Sequence, residues 1–171
     1  IYSQFECVVF HMTDVPFGHG GSPLQNLIVS GIYQTKLSAL QVVEKFDAGP
    51  VYLKRPLDLS CGSAQEMFER ASDLILKMMN EIIKKRPRPV PQAGTPVIFK
   101  RRRPEESEIP KNLGGRQLYD FIRMLDAEEY PHAFIRRGSQ KYEFSNASPA
   151  KNGKVSATVT ITKNNESGNE K

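Results

Sequence analysis

The chain has 171 residues, 39% hydrophobic and 25% charged, with a formal net charge of +5 and a sequence pI near 9.2. These values are typical of a soluble globular protein with one core, or one core plus a small appendage. They exclude a membrane-spanning helix, because no apolar run approaches the roughly 18 residues that one needs. The positive charge favours an anionic partner.

Neither the cysteines nor the histidines predict a cross-link or a metal centre. Cys7 and Cys61 are too few for a disulfide framework, and Cys7 begins an apolar run. We therefore expect free thiols and a cytoplasmic protein. The three histidines lack the spacing of a metal site, so we predict no metal.

Residues 1–85 are predicted to mix strands and helices. The apolar run 7–10 is typical of a central strand of a parallel sheet. Ser22 and Pro23 are typical of a helix start, with Ser22 as the cap, and Gly31 is a stop signal. Two further strands are predicted, at 35–44 and at 51–55, the second ended by Pro56.

A long helix is predicted after the capping box 63–66. Behind the box, apolar side chains recur at helical spacing. They are Met67, Ala71, Leu74, Ile75, Met78, Met79 and Ile82. We expect this stripe to pack against the sheet rather than to bind a cofactor.

The remaining residues are predicted to form a linker, a small subdomain and a tail. Prolines exclude a helix from 86–98, which we interpret as a linker. The subdomain, 99–163, is predicted to contain a helix and antiparallel strands. The helix begins at Gly114 and Gly115. The predicted strands are 133–137, 141–145 and 155–162, with turns at Gly138 and at Asn152-Gly153. The polar segment 164–171 is predicted to be disordered.

Two loops are candidates for a site. The glycine-rich loop 11–23 begins at His11, directly after a predicted strand, and glycine allows a close approach between backbone and ligand. The loop 46–50 contains Asp47, between two predicted strands. A histidine whose protonation a carboxylate controls can act as an acid or base near neutral pH. The alternative is that both are ordinary turn residues.

These loops resemble the folate-dependent formyltransferases. The family motif is Asn-x-His-x-Ser-Leu-Leu-Pro-x-x-x-Gly, followed by a loop of the type Asp-x-Gly-x-Ile. The positions that match the family are His11, Thr13, Pro16, Gly20, Pro23, Gln25, Thr35, Asp47 and Gly49. The 36-residue separation between His11 and Asp47 also fits the family, whereas Val9 replaces its Asn.

The resemblance continues beyond the predicted linker. Residues 102–109, 122–124 and 130–134 are similar to stretches that follow the catalytic domain in the transfer-RNA and nucleotide-sugar branches. It implies an α/β fold in which 1–85 form part of a Rossmann-like domain with a central, mostly parallel sheet. A small C-terminal α+β appendage follows. Because the family's N-terminal region is missing, we expect an N-terminally incomplete chain.

The resemblance also implies a reaction, the transfer of a formyl group from 10-formyltetrahydrofolate to a primary amine. It places His11 at the oxyanion and makes Asp47 its proton relay, with the charge of Asp47 favouring the imidazolium form. The candidate donor in place of the missing Asn is Thr13, and the alternative is the backbone N–H groups around Gly20 and Gly21. Implied folate contacts are Phe46, Ala48, Gly49, Val15 and Pro16, and candidate acceptor contacts are Gly18, Gly20, Gly21 and Arg102.

The sequence alone leaves two candidates for the acceptor of the formyl group. The appendage is shorter than the C-terminal barrel of the transfer-RNA enzymes, which favours an anionic small molecule, a nucleotide-linked amino sugar. The basic segment 86–103 favours the alternative, methionyl-tRNA. A rival of another class is a catalytically silent binding module, because the side chain of Val9 donates no hydrogen bond.

Overall fold

The computed structural model describes residues 1–128, 130–149 and 151–163, so the predicted tail 164–171 lies outside the described residues. The chain divides into two compact units, Ile1–Arg102 and Arg103–Lys171. The elements of the first unit are β1 (Val8–His11), β2 (His19–Gly20), α1 (Pro23–Val29), β3 (Gln34–Gln41), β4 (Val51–Asp58), α2 (Ala64–Lys85) and β5 (Ile98–Phe99). The second unit contains α3 (Gly115–Arg123), β6 (Ala133–Arg137), β7 (Gln140–Pro149) and β8 (Val155–Lys163).

The main sheet of the first unit has the order β1-β3-β4, and both of its pairings are antiparallel. The described residues thus do not contain the central, mostly parallel sheet that we expected, and residues 7–10 are wrongly predicted as a parallel strand. A short apolar run indicates burial, but it carries no information about the direction of the neighbouring strand. The register pairs His11 with Ser38, which places the histidine at the end of the sheet.

Helix α2 packs on this sheet as its apolar stripe predicts. The capping box is confirmed: Ser63 Oγ accepts from Glu66 N at 3.2 Å, and Glu66 Oε2 accepts from Ser63 N at 2.7 Å. Met78 is buried in one cluster with Leu37, Ala39 and Tyr52. Met79 is exposed, so the predicted stripe is too wide by this residue. Burial of a side chain such as Met78 contributes about 1.5–3 kcal/mol.

Two local predictions in the first unit are wrong. Ser22 has a left-handed backbone (φ 51), and its Oγ accepts from Arg102 N at 3.0 Å instead of capping α1. Pro56 lies inside β4 rather than ending it. Within the described residues β4 is an edge strand, and an edge strand tolerates proline because its outer N–H groups are not needed for pairing. The stop at Gly31 (φ 72) is confirmed.

The proline-rich residues 86–97 form no helix or strand, as predicted, whereas Ile98 begins β5, and the whole segment lies within the first unit. Val90 exchanges two backbone hydrogen bonds with Val51, of 2.8 and 2.9 Å. Further along, β5 pairs in parallel with β2, so this segment adds a small second sheet beside the His11 loop.

The second unit is α+β, with an antiparallel sheet of order β6-β7-β8. Turns at Gly138 (φ 58) and at Asn152 and Gly153 (φ 65 and 75) connect its strands, as predicted. Helix α3 buries Phe121 and Ile122. No helix in the described part of either unit is long and apolar enough to span a membrane.

Candidate functional site

The structure brings His11 and Asp47 together. His11 is buried at the end of β1, and its Nδ1 lies 3.4 Å from Asp47 Oδ1. Its Nε2 lies 2.7 Å from Gly18 O, a carbonyl that only accepts, so Nε2 carries a hydrogen. Both ring nitrogens thus face oxygen atoms, Nδ1 that of the Asp47 carboxylate and Nε2 that of the Gly18 carbonyl.

Asp47 links the two loops. Its Oδ2 accepts from Gly20 N at 2.8 Å, while Oδ1 faces the His11 ring. The Asp47 backbone is left-handed (φ 56), a region that residues other than glycine rarely occupy. A carboxylate held from two sides can orient the imidazole and can exchange a proton with it.

Thr13 is fully buried, and its hydroxyl is used within the loop. Thr13 Oγ1 donates to Gly18 O at 3.3 Å, and Thr13 O accepts from Ser38 Oγ at 2.7 Å. Because a hydroxyl has one hydrogen, Thr13 has to give up this bond before it can donate to an oxyanion.

Val9 lies on the same face of β1 as His11, since they are two residues apart on a strand. Its side chain is 39% exposed. A donor at this position would accordingly lie beside the imidazole, as the family motif implies, and valine leaves an apolar surface there.

The loop glycines are required by the chain itself. A Cβ at Gly20 (φ +102) would lie 2.5 Å from Phe99 O, and one at Gly21 would lie 2.5 Å from Arg101 Cβ. A Cβ at Gly18 (φ +77) would lie 2.8 Å from the Phe99 ring. These glycines therefore let the segment around β5 approach the His11 loop. Contact between these glycines and the acceptor substrate stays a prediction.

The predicted folate contacts differ in accessibility. Phe46 directly precedes Asp47 and is 88% exposed, whereas Val15 is only 1% exposed. Ala48 is half-buried and Gly49 is buried in the same loop as Asp47. Pro16 accepts from Val97 N through its carbonyl, at 3.1 Å. Phe46 is thus the predicted contact that presents an apolar ring, and Val15 belongs to the core.

Arg102, a predicted acceptor contact, is anchored by its backbone. Its N–H donates to Ser22 Oγ at 3.0 Å, which fixes it beside the start of α1. Within the described ranges, no three His, Cys, Asp or Glu residues converge as a metal site would require.

Gln92 is a site residue that sequence reasoning missed. Its Nε2 donates to Asp47 O at 2.7 Å and to Gly49 O at 2.8 Å, and its Oε1 accepts from His19 Nε2 at 2.9 Å. His19 is buried, and its Nδ1 has no hydrogen-bond partner among the described residues. A glutamine inside a proline-rich stretch carries no pattern that would have indicated this role.

A second ion cluster, also missed, lies on the His11 loop. Asp14 pairs with Lys54 at 2.6 Å and with Lys36 at 2.9 Å. Partial burial alone would raise the pKa of Asp14, but the hydrogen bonds and charges of the two lysines outweigh it and lower that pKa. The pairs tie the loop to β3 and β4.

Comparison with known proteins gives consistent results for both units. A family model described as the C-terminal domain of methionyl-tRNA formyltransferase matches residues 104–162. The solved methionyl-tRNA formyltransferase from Clostridium thermocellum is 52% identical, with a TM-score of 0.92, over 95% of this chain and 71% of that chain. This score shows a shared fold.

More distant similarities point the same way. The methionyl-tRNA formyltransferase of Mesoplasma florum is 26% identical over 96% of this chain and 54% of its own length. HypX from Aquifex aeolicus, solved in complex with tetrahydrofolic acid, shares the fold with a TM-score of 0.70 at 16% identity, over 89% of this chain and 27% of that chain. The chain spans about half the length of the curated relatives that it matches.

Proposed function

The chain belongs to the formyltransferase family, and we propose that it supplies the acid–base pair for formyl transfer from 10-formyltetrahydrofolate to a primary amine. The observation that carries the proposal is the approach of His11 Nδ1 to Asp47 Oδ1, at 3.4 Å, in a chain of this family. The solved complex of HypX with tetrahydrofolic acid supports folate as the donor, because it shares the fold.

The geometry suits the chemistry of this transfer. Attack of an amine on a formyl group places negative charge on the formyl oxygen. The amine then loses a proton, and the folate nitrogen gains one as its bond to the formyl carbon breaks and tetrahydrofolate leaves. His11 Nε2 donates its one hydrogen to Gly18 O in this structure, and we propose that in the reaction it gives up this bond and donates to the developing oxyanion. Asp47 Oδ1 lies 3.4 Å from Nδ1 and holds the ring in this orientation.

For the acceptor we propose methionyl-tRNA rather than the nucleotide-linked amino sugar that we expected. The family model for the C-terminal domain of methionyl-tRNA formyltransferase matches 104–162, the part of the chain whose short length had favoured the sugar. The relatives from Clostridium thermocellum and Mesoplasma florum carry the same name. The net charge of +5 also suits RNA.

The first experiment tests the enzyme proposal against the silent binding module. The full chain is incubated with 10-formyltetrahydrofolate and methionyl-tRNA, and released tetrahydrofolate is measured for wild type and for His11→Ala. We expect the variant to lose on the order of 10² or more in rate. Equal release by the two proteins would refute catalysis by His11.

The second experiment tests whether Val9 limits the rate. Val9→Asn restores a donor beside His11, and we expect turnover to rise by up to about 10². Val43→Asn is the matched control, because Val43 is 37% exposed and Val9 is 39% exposed. No gain over this control would show that another group already supplies the second donor.

The third experiment chooses the acceptor. Turnover on methionyl-tRNA is compared with turnover on a nucleotide-linked amino sugar, and affinity for transfer RNA is measured against salt. We expect transfer to methionyl-tRNA and a falling log–log slope. A flat slope, together with transfer to the sugar, would overturn the acceptor proposal while leaving formyl transfer intact.

A further inference from the structure

We propose that Gln92 is a positioning residue that clamps the Asp47 loop to the His11 loop, and so keeps the Asp47 carboxylate between His11 Nδ1 and Gly20 N. The inference deepens the proposed function and rests on it, since it assigns a catalytic consequence to a residue of the predicted linker. Among the described residues, the Gln92 amide bonds to His19 and to the carbonyls of Asp47 and Gly49, and not to the His11 ring or the Asp47 carboxylate.

All the hydrogen-bonding groups of the Gln92 amide are engaged. The NH₂ group donates to two backbone carbonyls of one loop, Asp47 O at 2.7 Å and Gly49 O at 2.8 Å. The amide oxygen accepts from His19 Nε2, in the other loop, at 2.9 Å. A single side chain therefore joins the backbone on either side of Ala48 to the residue next to Gly20.

The Asp47 loop needs such a clamp. Asp47 has a left-handed backbone (φ 56), and an unfavourable conformation of this kind persists only when its surroundings determine it. The contacts of its carboxylate, to Gly20 N and to His11, place the head group but not the backbone. Ala48 N–H donates to Lys45 O at 3.3 Å, and the two bonds from Gln92 hold the carbonyls on either side of Ala48, so these bonds together position the carboxylate.

The identity of the residue matters as well as its place. Two carbonyl acceptors fix which end of the Gln92 amide carries hydrogen, and the amide oxygen then requires His19 to donate from Nε2. A glutamate at this position would present a carboxylate to two carbonyl oxygens, and a leucine would leave them without these donors. Neither replacement keeps both loops joined.

Gln92 is itself held between two anchors in its segment. On one side, Val90 exchanges two backbone hydrogen bonds with Val51, of 2.8 and 2.9 Å. On the other side, Val97 O accepts from the N–H groups of Gly18 and His19, at 3.0 and 2.9 Å. The segment 90–97 thus crosses both loops as a strap, and Gln92 is its polar contact to Asp47.

The kinetic test is a double-mutant cycle in the full chain with the variants Gln92→Leu, Asp47→Asn and their combination. Gln65→Leu, which removes an amide from the surface of α2, is the matched control. We expect Gln92→Leu to lower kcat about tenfold with little change in KM, because a misplaced group loses transition-state contacts more than substrate binding. In the Asp47→Asn background the same change should cost less than about twofold, since both changes act through one carboxylate.

Two kinetic outcomes would overturn the proposal. One is a Gln92→Leu enzyme whose kcat matches that of the Gln65→Leu control. The other is a double variant in which the two effects multiply, which would mean that Gln92 acts independently of Asp47. If Gln92→Leu fails to fold, Gln92→Glu replaces it in the cycle, because glutamate is close in shape to glutamine. The expected outcome is the same, since glutamate also lacks the two NH₂ donors.

A second readout does not depend on turnover. Gly20 N–H donates to the Asp47 carboxylate, so the hydrogen-exchange rate of the Gly20 amide reports the position of that group. We expect exchange to be about tenfold faster in Gln92→Leu than in the Gln65→Leu control. Unchanged exchange would overturn the clamp. If wild type shows no formyl transfer, the proposed function fails and the exchange rates alone decide whether Gln92 positions Asp47.

Discussion

Gly49 is the position where a single added methyl group should move the acid–base pair. A Cβ at Gly49 would overlap Gln41 O and lie 2.9 Å from the Gln41 carbonyl carbon, both of them backbone atoms of β3. Since carbon atoms pack at about 3.5–4.0 Å and the overlap with Gln41 O is more severe than the contact with the carbon, the loop has to withdraw by more than roughly 1 Å. Asp47 lies two residues away and moves with it, and a displacement of this size costs about 10² in rate.

Steady-state formyl transfer by Gly49→Ala tests this reasoning, with Gly31→Ala as the control. Gly31 has a left-handed backbone (φ +72), and its added Cβ meets nothing within 4 Å. We expect the control to lose about 1 kcal/mol of stability without loss of kcat. A Gly49→Ala enzyme whose kcat stays within about threefold of the control would refute the reasoning, because the loop would then accommodate the methyl group without moving Asp47.

Three further predictions concern stability. Because Lys54 and Lys36 lower the pKa of Asp14 from its usual 3.8, their ion pairs stabilise the fold above that pH and the contribution fades as pH falls. Asp14→Asn should therefore reduce the free energy of unfolding by about 0.5 kcal/mol at neutral pH, a modest value because the pairs are partly exposed, and by nothing measurable in urea titrations near pH 2. Ser63→Ala should cost about 1 kcal/mol in thermal unfolding through loss of the α2 cap, and an unchanged Tm would contradict the observed capping box. Met78→Ala should cost about 2–5 kcal/mol by the same method, and a loss below about 1 kcal/mol would contradict its place in the core.

The parts of the fold that were predicted correctly depend on short-range signals. The capping box at Ser63 and the stripe that includes Met78 define α2, because caps and helical periodicity act within one or two turns. The turns at Gly138 and at Asn152-Gly153 follow from the backbone freedom of these residues. Strand direction did not follow, since an apolar run is equally compatible with either pairing.

The candidate site likewise contains residues that the sequence indicated and a residue that it did not. His11 and Asp47 were selected by the motif that the loops resemble, and the structure places the two side chains side by side. Gln92 was assigned to a linker, because prolines around it predict irregular structure and say nothing about side-chain partners. Its three bonds reach residues more than 40 positions away, so they exist only once the segment has crossed the two loops.

By itself, the sequence determined the long helix, the turns, and the histidine and aspartate on which the proposed chemistry depends. The helix and turns depend on residues close together in the chain, and the histidine and aspartate belong to a recognisable motif. Only the tertiary structure decided the antiparallel sheet, the two bonds from Gln92 to the Asp47 loop and the packing that requires Gly49. Hydrogen bonds and steric contacts between distant segments depend on the path of the whole chain, and no short stretch of sequence encodes that path.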